Sequence, residues 1–143
     1  VGRPVGPIGD PAAGLMLLAD MPEAEDGAAG ALLSGEAGRL LDLVPRPTAI
    51  FSCNDEMAAG VMHAARQRGL DIPGDLSIIG FDDTPVAAHV WPPLTTVRWP
   101  IASMARSAAL KLIAGLEGEG DVEEPSLFLS TLIRRASVAP PAG

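Results

Sequence analysis

An α/β fold, a parallel sheet flanked by helices, is predicted by three features of the sequence. Short apolar runs alternate with helical patterns, and those runs are apolar at nearly every position, as strands buried on both faces of a parallel sheet are. The best-marked helix begins where one such run ends, the mark of a strand feeding directly into a crossover helix. With 143 residues, 48% of them apolar and 20% charged, the chain is long enough for one domain with its own core.

Residues 1–13 are rich in Pro and Gly without a period of 2 or 3.6, and read as loop or disordered terminus. Gly14 to Met21 (GLMLLADM) reads as a first buried strand. Glu23 to Val44 has acids early and Arg39 late, which suits a helix dipole, but four glycines weaken it and predict a break near Ser34-Gly35. Thr48 to Cys53 (TAIFSC) is a second strand leading into Asn54-Asp55-Glu56. From Asp55 onward Met57, Val61, Met62 and Ala65 recur at helical spacing, with acids in front, Arg66 and Arg68 behind and Gly69 at C′.

Asp71 to Asp75 (DIPGD) is turn chemistry, and Leu76 to Phe81 (LSIIGF) is a third strand that ends in Asp82-Asp83. Thr84 to Pro93 reads as irregular, followed by a β-leaning Leu94 to Arg98. Ile101 to Leu116 carries Ile101, Met104, Ala105, Ala108 and Leu112 on one stripe, between Pro100 and the glycines at 115, 118 and 120. An acidic loop from Asp121 to Pro125 precedes a last strand, Ser126 to Ile133, and a Pro/Ala tail.

Ten basic residues against eighteen acidic ones give a net charge of −8, and Lys111 is the only lysine. Such a surface repels phosphate backbones, so this stretch does not itself grip DNA. The single cysteine, Cys53, has no internal partner, so a reduced cytoplasm is the expectation. The apolar runs fall far short of the ~20 residues that cross a bilayer. The sequence opens at Val1 with no secretory profile and reads as a fragment or processed product.

Ligands of parallel α/β sheets sit beyond the carboxyl ends of the strands, which singles out Asp20-Met21, Asn54-Asp55 and Asp82-Asp83. Asp55 reads first as the N-cap of the following helix, with ligand contact as the alternative. Asn54 is then left for a ligand, and an amide that donates and accepts suits a neutral polyhydroxylated molecule. Asp82-Asp83 reads either as a metal or acid pair, or with Asp83 or Thr84 simply capping the next turn. Neighbouring strand residues point to opposite faces, so one of the two faces any given site. His63 and His89 fall in no metal or triad spacing, and no GxSxG or phosphate-loop glycine pattern is present. No cofactor and no metal are expected.

Taken in order, RPTAIFSCNDEMAAGVMHAARQRGLDIPGDLSIIGFDDTP, WPPLTTVRWP, the amphipathic helix and LIRRASVAPP closely resemble the C-terminal part of lactose-repressor/galactose-repressor (LacI/GalR) transcription regulators. The likeness is continuous over residues 45–140 and looser over 14–44. It implies a half of a type I periplasmic-binding-protein-like core, incomplete without its first lobe, and a homodimer whose DNA contacts lie in an N-terminal helix-turn-helix outside this sequence. The domain reading that follows assigns 14–98 to part of the C-terminal lobe, 99–120 to a helix belonging to the first lobe, and 121–143 to a returning strand and tail.

The resemblance further implies that Asn54 and Asp82 hydrogen-bond a small-molecule effector, a sugar or related metabolite, with Asp55 and Asp83 as caps and loop anchors. Family members commonly place an aromatic wall after the first of these strands. Here Met21 stands in that neighbourhood, either as its substitute or with the wall missing. The helix after Asp55 and the loop before LTTV resemble the dimer surface, which nominates Met57, Val61, Val86, Val90 and Trp91; Trp91 alternatively plugs the core edge. Three functions compete: the effector-sensing part of a regulator, a periplasmic sugar-binding protein of a transport system, and a small enzyme using Asp82 and Asp83.

Overall fold

A computed structural model describes residues 15–18, 40–118, 125 and 127–140. Among them the chain runs β1 (Leu15–Leu18), β2 (Ala49–Ser52), α1 (Asp55–Gln67), β3 (Ser77–Phe81), α2 (Pro85–His89), β4 (Thr95–Arg98), α3 (Ile101–Glu117) and β5 (Thr131–Ile133). The strands form one sheet in the order β1-β2-β3-β4-β5. The first four are parallel and β5 returns antiparallel to β4. The register sets Ile50 beside Ile78 and Gly80 beside Thr96, so all parallel strands end at one edge. The expected terminal loop, most of the helix over 23–44 and most of the acidic loop lie outside the described residues.

Helix α1 forms where the sequence is least ambiguous. Asn54 caps its start, Glu56 lies in its first turn and Arg66 in its last, and Gly69 follows at φ 72°, a left-handed position that glycine takes without strain. Its Met57, Ala58, Val61, Met62 and Ala65 are buried with Ile50, Ile78, Leu76 and Leu94 in the main core. Each large side chain in that set contributes about 1.5–3 kcal/mol by leaving water. This face, rather than the exposed Arg68–Asp42 ion pair at 2.8 Å, therefore fixes α1 on the sheet.

The burial of Met57 and Val61, 4% and 0% exposed, corrects their assignment to a dimer surface. They occupy the stripe of α1 that faces the sheet, and a side chain enclosed by its own chain cannot touch a partner. Val86 and Val90 are half-buried, and Trp91 is 75% exposed, so Trp91 does not plug the core edge.

Two other expectations change. The irregular stretch after Thr84 contains α2, begun by Pro85 at its first turn, with Ala87 buried in the core. The last strand is limited to Thr131–Ile133, because β4 offers partners only from Thr96 to Arg98 before the chain turns at Trp99-Pro100. After β5 the tail is sewn back to the sheet. Ser137 donates its hydroxyl to the Ile78 carbonyl at 2.6 Å and accepts from the Thr95 amide at 2.8 Å.

Helix α3 is differently placed. Pro100 precedes it, Gly118 ends it at φ 73°, and only Ser107 and Ala114 are buried along its length. Ile101, Leu112 and Leu116 are exposed at 57%, 66% and 80%, so the apolar stripe read from the sequence faces outward. No helix of the described residues is long and apolar enough to cross a membrane.

Candidate functional site

The carboxyl tips of β2, β3 and β4 each end in a polar residue or a residue that holds one, and the sequence explains why. At the β2 tip Asn54 is extended (φ −151°, ψ 168°), and its Oδ1 accepts the Met57 amide at 2.7 Å. Asn54 is therefore the cap that the sequence reading gave to Asp55. One oxygen lone pair is engaged in the cap, and the two Nδ2 hydrogens have no partner among the described residues.

Asp55 instead is fully buried. Its Oδ1 accepts the Thr96 hydroxyl at 2.5 Å and its Oδ2 accepts the Thr84 amide at 2.7 Å, so one carboxylate joins α1, the loop after β3, and β4. Gly80 makes room for it. A Cβ there would lie 2.3 Å from Asp55 Oδ1 and 2.9 Å from Leu94 Cδ2, closer than any side chain tolerates. Burial pushes the Asp55 carboxyl above its ordinary range; the hydrogen bonds from Thr96 and Thr84 pull against this, and the nearby Asp82 charge adds to it.

At the β3 tip two consecutive aspartates have positive φ, 102° at Asp82 and 55° at Asp83. The second value is left-handed backbone that Asp tolerates, whereas the first lies outside that well and is sparsely populated for any residue with a Cβ. The Asp82 amide donates to the Val97 carbonyl at 2.9 Å. Its Oδ1 accepts the Trp99 indole N–H at 3.0 Å, and Trp99 tilts against Phe81 with ring centroids 6.1 Å apart.

Asp83 is enclosed, with 5% of its side chain exposed. Arg135 Nη2 reaches its Oδ1 and Arg98 Nε its Oδ2, both at 2.6 Å. Burial alone would raise its carboxyl, but the hydrogen bonds and charges of Arg135 and Arg98 outweigh it and hold the group below its ordinary range. With both oxygens neutralised by guanidinium groups, Asp83 is withdrawn from the metal-pair and acid-pair readings. Among the described residues no group of three His, Cys, Asp or Glu could hold a metal ion.

Asn54 and Asp82 thus stand at adjacent strand tips, separated by the same 28 positions that set Ile50 beside Ile78 in the register of β2 and β3. Met21 lies outside the described residues. Three participants escaped the sequence reading: Trp99, Arg98 and Arg135. Trp99, at the exit of β4, brings an aromatic ring to the Asp82 tip. An apolar groove of about 200 Å³ lined by Thr48, Ala49, Phe51, Ser77, Ile79 and Val138 sits at the amino half of the sheet, away from these tips.

Residues 12–138 match the periplasmic binding protein-like domain family. The regulator GalS of Salmonella typhimurium is 49% identical over 71% of this chain and 29% of its own length. GalR of Escherichia coli is 45% identical over 66% of this chain and 28% of its own. The chain belongs to the periplasmic binding protein-like domain family, within its LacI/GalR branch.

Among solved structures, a LacI-family regulatory protein from Chloroflexus aggregans is similar at TM-score 0.63 and 48% identity, covering 73% of this chain and 38% of that one. A cellobiose complex of the transcriptional regulator CelR matches at TM-score 0.64 and 33% identity, covering 71% of this chain and 31% of that one. This LacI/GalR chain spans less than a third of the length of the curated relatives it matches.

Proposed function

We propose that this chain is the effector-sensing and dimerisation part of a LacI/GalR transcription regulator. A neutral saccharide or similar polar metabolite is held between the Asp82 carboxylate, which accepts from hydroxyl groups, and the Asn54 amide, which donates to them. Trp99 offers an apolar ring face against which a sugar packs. The observation that carries this reading is the division of labour at each tip. One acidic residue, Asp55 or Asp83, is buried and fully partnered within the chain, while its neighbour, Asn54 or Asp82, keeps hydrogen-bonding capacity toward the open end of the sheet.

Identity to GalS and GalR favours a regulator over a transport-type sugar-binding protein. The cellobiose complex of CelR supports a saccharide as the ligand class. DNA contact belongs to a helix-turn-helix elsewhere in the protein, in keeping with a net charge of −8 here. In this reading the protein works in the cytoplasm as a homodimer with Val86, Val90 and Trp91 at its surface, and α3 packs its outward stripe on the first lobe.

The test is operator release by the full-length protein. On the DNA upstream of its own gene, a panel of cellobiose, sucrose, maltose and D-galactose should contain a sugar that shifts binding. Asp82→Ala should abolish that shift and leave DNA binding intact. An unchanged response in the variant would overturn the assignment.

A further inference from the structure

The Asp82 backbone, at φ 102°, is in a costly conformation that persists only where the surroundings over-determine it. A glycine would take it freely, yet the chain has a Cβ here. What enforces it is visible in the next residue. The Asp83 carboxylate is gripped from two directions, by Arg98 at the end of β4 and by Arg135 just after β5. Arg135 is itself fixed, since its Nη1 donates to the Leu94 carbonyl at 2.8 Å and its amide to Thr95 Oγ1 at 3.0 Å. The peptide after Asp83 is held as well, through the Thr84 amide on Asp55. Every one of these ties lies on the C-terminal side of Asp82, and each pulls the chain into the same turn.

We propose that Asp83 is the positioning residue of the site, and that its clamp by Arg98 and Arg135 holds the turn at residues 82–83 in its left-handed form and thereby aims the Asp82 carboxylate at Trp99 and at the effector. The aim toward the effector rests on the proposed function, whereas the contact between Asp82 and Trp99 is made within the chain. Removing the Asp83 charge frees the turn to relax to negative φ, which swings the Asp82 side chain off the indole. The clamp also joins the site to the two segments that leave the sheet here. Arg98 and Trp99 begin the exit toward α3, and Arg135 follows the returning β5. Two consecutive aspartates therefore engage two consecutive residues of the exit, Asp82 with Trp99 and Asp83 with Arg98.

The test uses the full-length protein labelled with 5-fluorotryptophan, with the Trp99 resonance assigned through Trp99→Phe and Trp91→Phe. Asp82→Ala, which leaves no acceptor for the indole N–H, defines the shift that accompanies loss of the contact. Asp83→Asn and Arg135→Gln are expected to move the Trp99 fluorine signal toward that same position. They should also weaken the best saccharide of the panel on the order of tenfold, the equivalent of one ordinary hydrogen bond lost on misaiming Asp82. Asp42→Asn, which breaks the ion pair with Arg68 on another face, should move neither.

If Asp83→Asn does not fold, Arg98→Gln decides the matter, since Arg98 is 60% exposed and forms only one arm of the clamp. A folded Asp83→Asn, Arg135→Gln or Arg98→Gln protein whose Trp99 signal stays put, while Asp82→Ala moves it, would overturn the proposal and leave Asp83 a structural ion pair. A signal that moves as expected in a protein that binds no saccharide of the panel would uphold the positioning role and count against the effector reading.

Discussion

The tips of β2 and β3 hold the same kind of residue pair and solve the same problem by different means. At β2 the pair is Asn54-Asp55, the backbone is ordinary, and one hydrogen bond to the Met57 amide orients the amide side chain. At β3 the pair is Asp82-Asp83, the backbone is in a costly conformation, and two arginines from distant parts of the chain are needed to hold it. The comparison teaches that a helix beginning directly after a strand positions the polar residue at the tip through its own cap. Where the strand runs into a loop and only a five-residue helix, α2, positioning must be imported.

The largest expected effect strikes the buried half of the β2 pair. Gly80→Ala would drive a Cβ into Asp55 Oδ1 and Leu94, and should lower stability by about 3 kcal/mol in a denaturant titration, the upper range for overpacking. Next comes Asp55→Ala, which leaves the Thr84 amide and Thr96 hydroxyl without their acceptor. At about 1–3 kcal/mol for a buried group left unpaired, the same titration should show a loss of that order. Asp55→Asn, which keeps an acceptor and removes a desolvated charge, should lose much less. If the two variants are equally destabilised, hydrogen bonding is not what Asp55 contributes.

Asn54→Ala should be milder in stability, about 1 kcal/mol for a lost cap, while still weakening saccharide binding. A variant with the full stability loss and unchanged binding would make Asn54 a cap and nothing more.

The smallest effect is in the pH dependence, where the two buried aspartates have opposite signs. The Asp83 carboxyl is depressed, so its stabilisation is present above its unfolded-state pKa and is lost as pH falls through the lower folded value, below about pH 4. The Asp55 carboxyl is raised, so its contribution is complete below the unfolded value and is lost as pH rises through the folded one, above about pH 4. Stability measured against pH should therefore lose its acid-side fall in Asp83→Asn and its decline above that point in Asp55→Asn. The same curve in both variants would show that the two tips do not differ in this respect.

Much of this was legible in the sequence because it is local. Apolar runs ending in acids located the strand tips, and the spacing of Met57, Val61 and Ala65 marked α1 with Gly69 at its end. What periodicity does not carry is direction. The stripe on α1 was recognised, but only the packed structure shows that it faces the sheet rather than a partner, while the similar stripe on α3 faces outward.

The exchange of roles between Asn54 and Asp55 was also unreadable, since both residue types cap helices well. The choice is made by Gly80, which leaves space for a carboxylate 25 positions earlier in the chain. Arg98 and Arg135 lie 15 and 52 positions from Asp83, so no spacing rule connects them to it. Trp99 stands just past β4, and its indole reaches Asp82 only because β3 and β4 are neighbours in the sheet.

We propose that Asp82 and Asn54 together grip a small polar metabolite at the open end of the sheet. Titration calorimetry of the full-length protein with the saccharide panel, set beside Asp82→Ala and Asn54→Ala, tests it most directly. One sugar should bind the wild type measurably, Asp82→Ala should remove the heat of binding, and Asn54→Ala should weaken it. Undiminished affinity in both variants would contradict it.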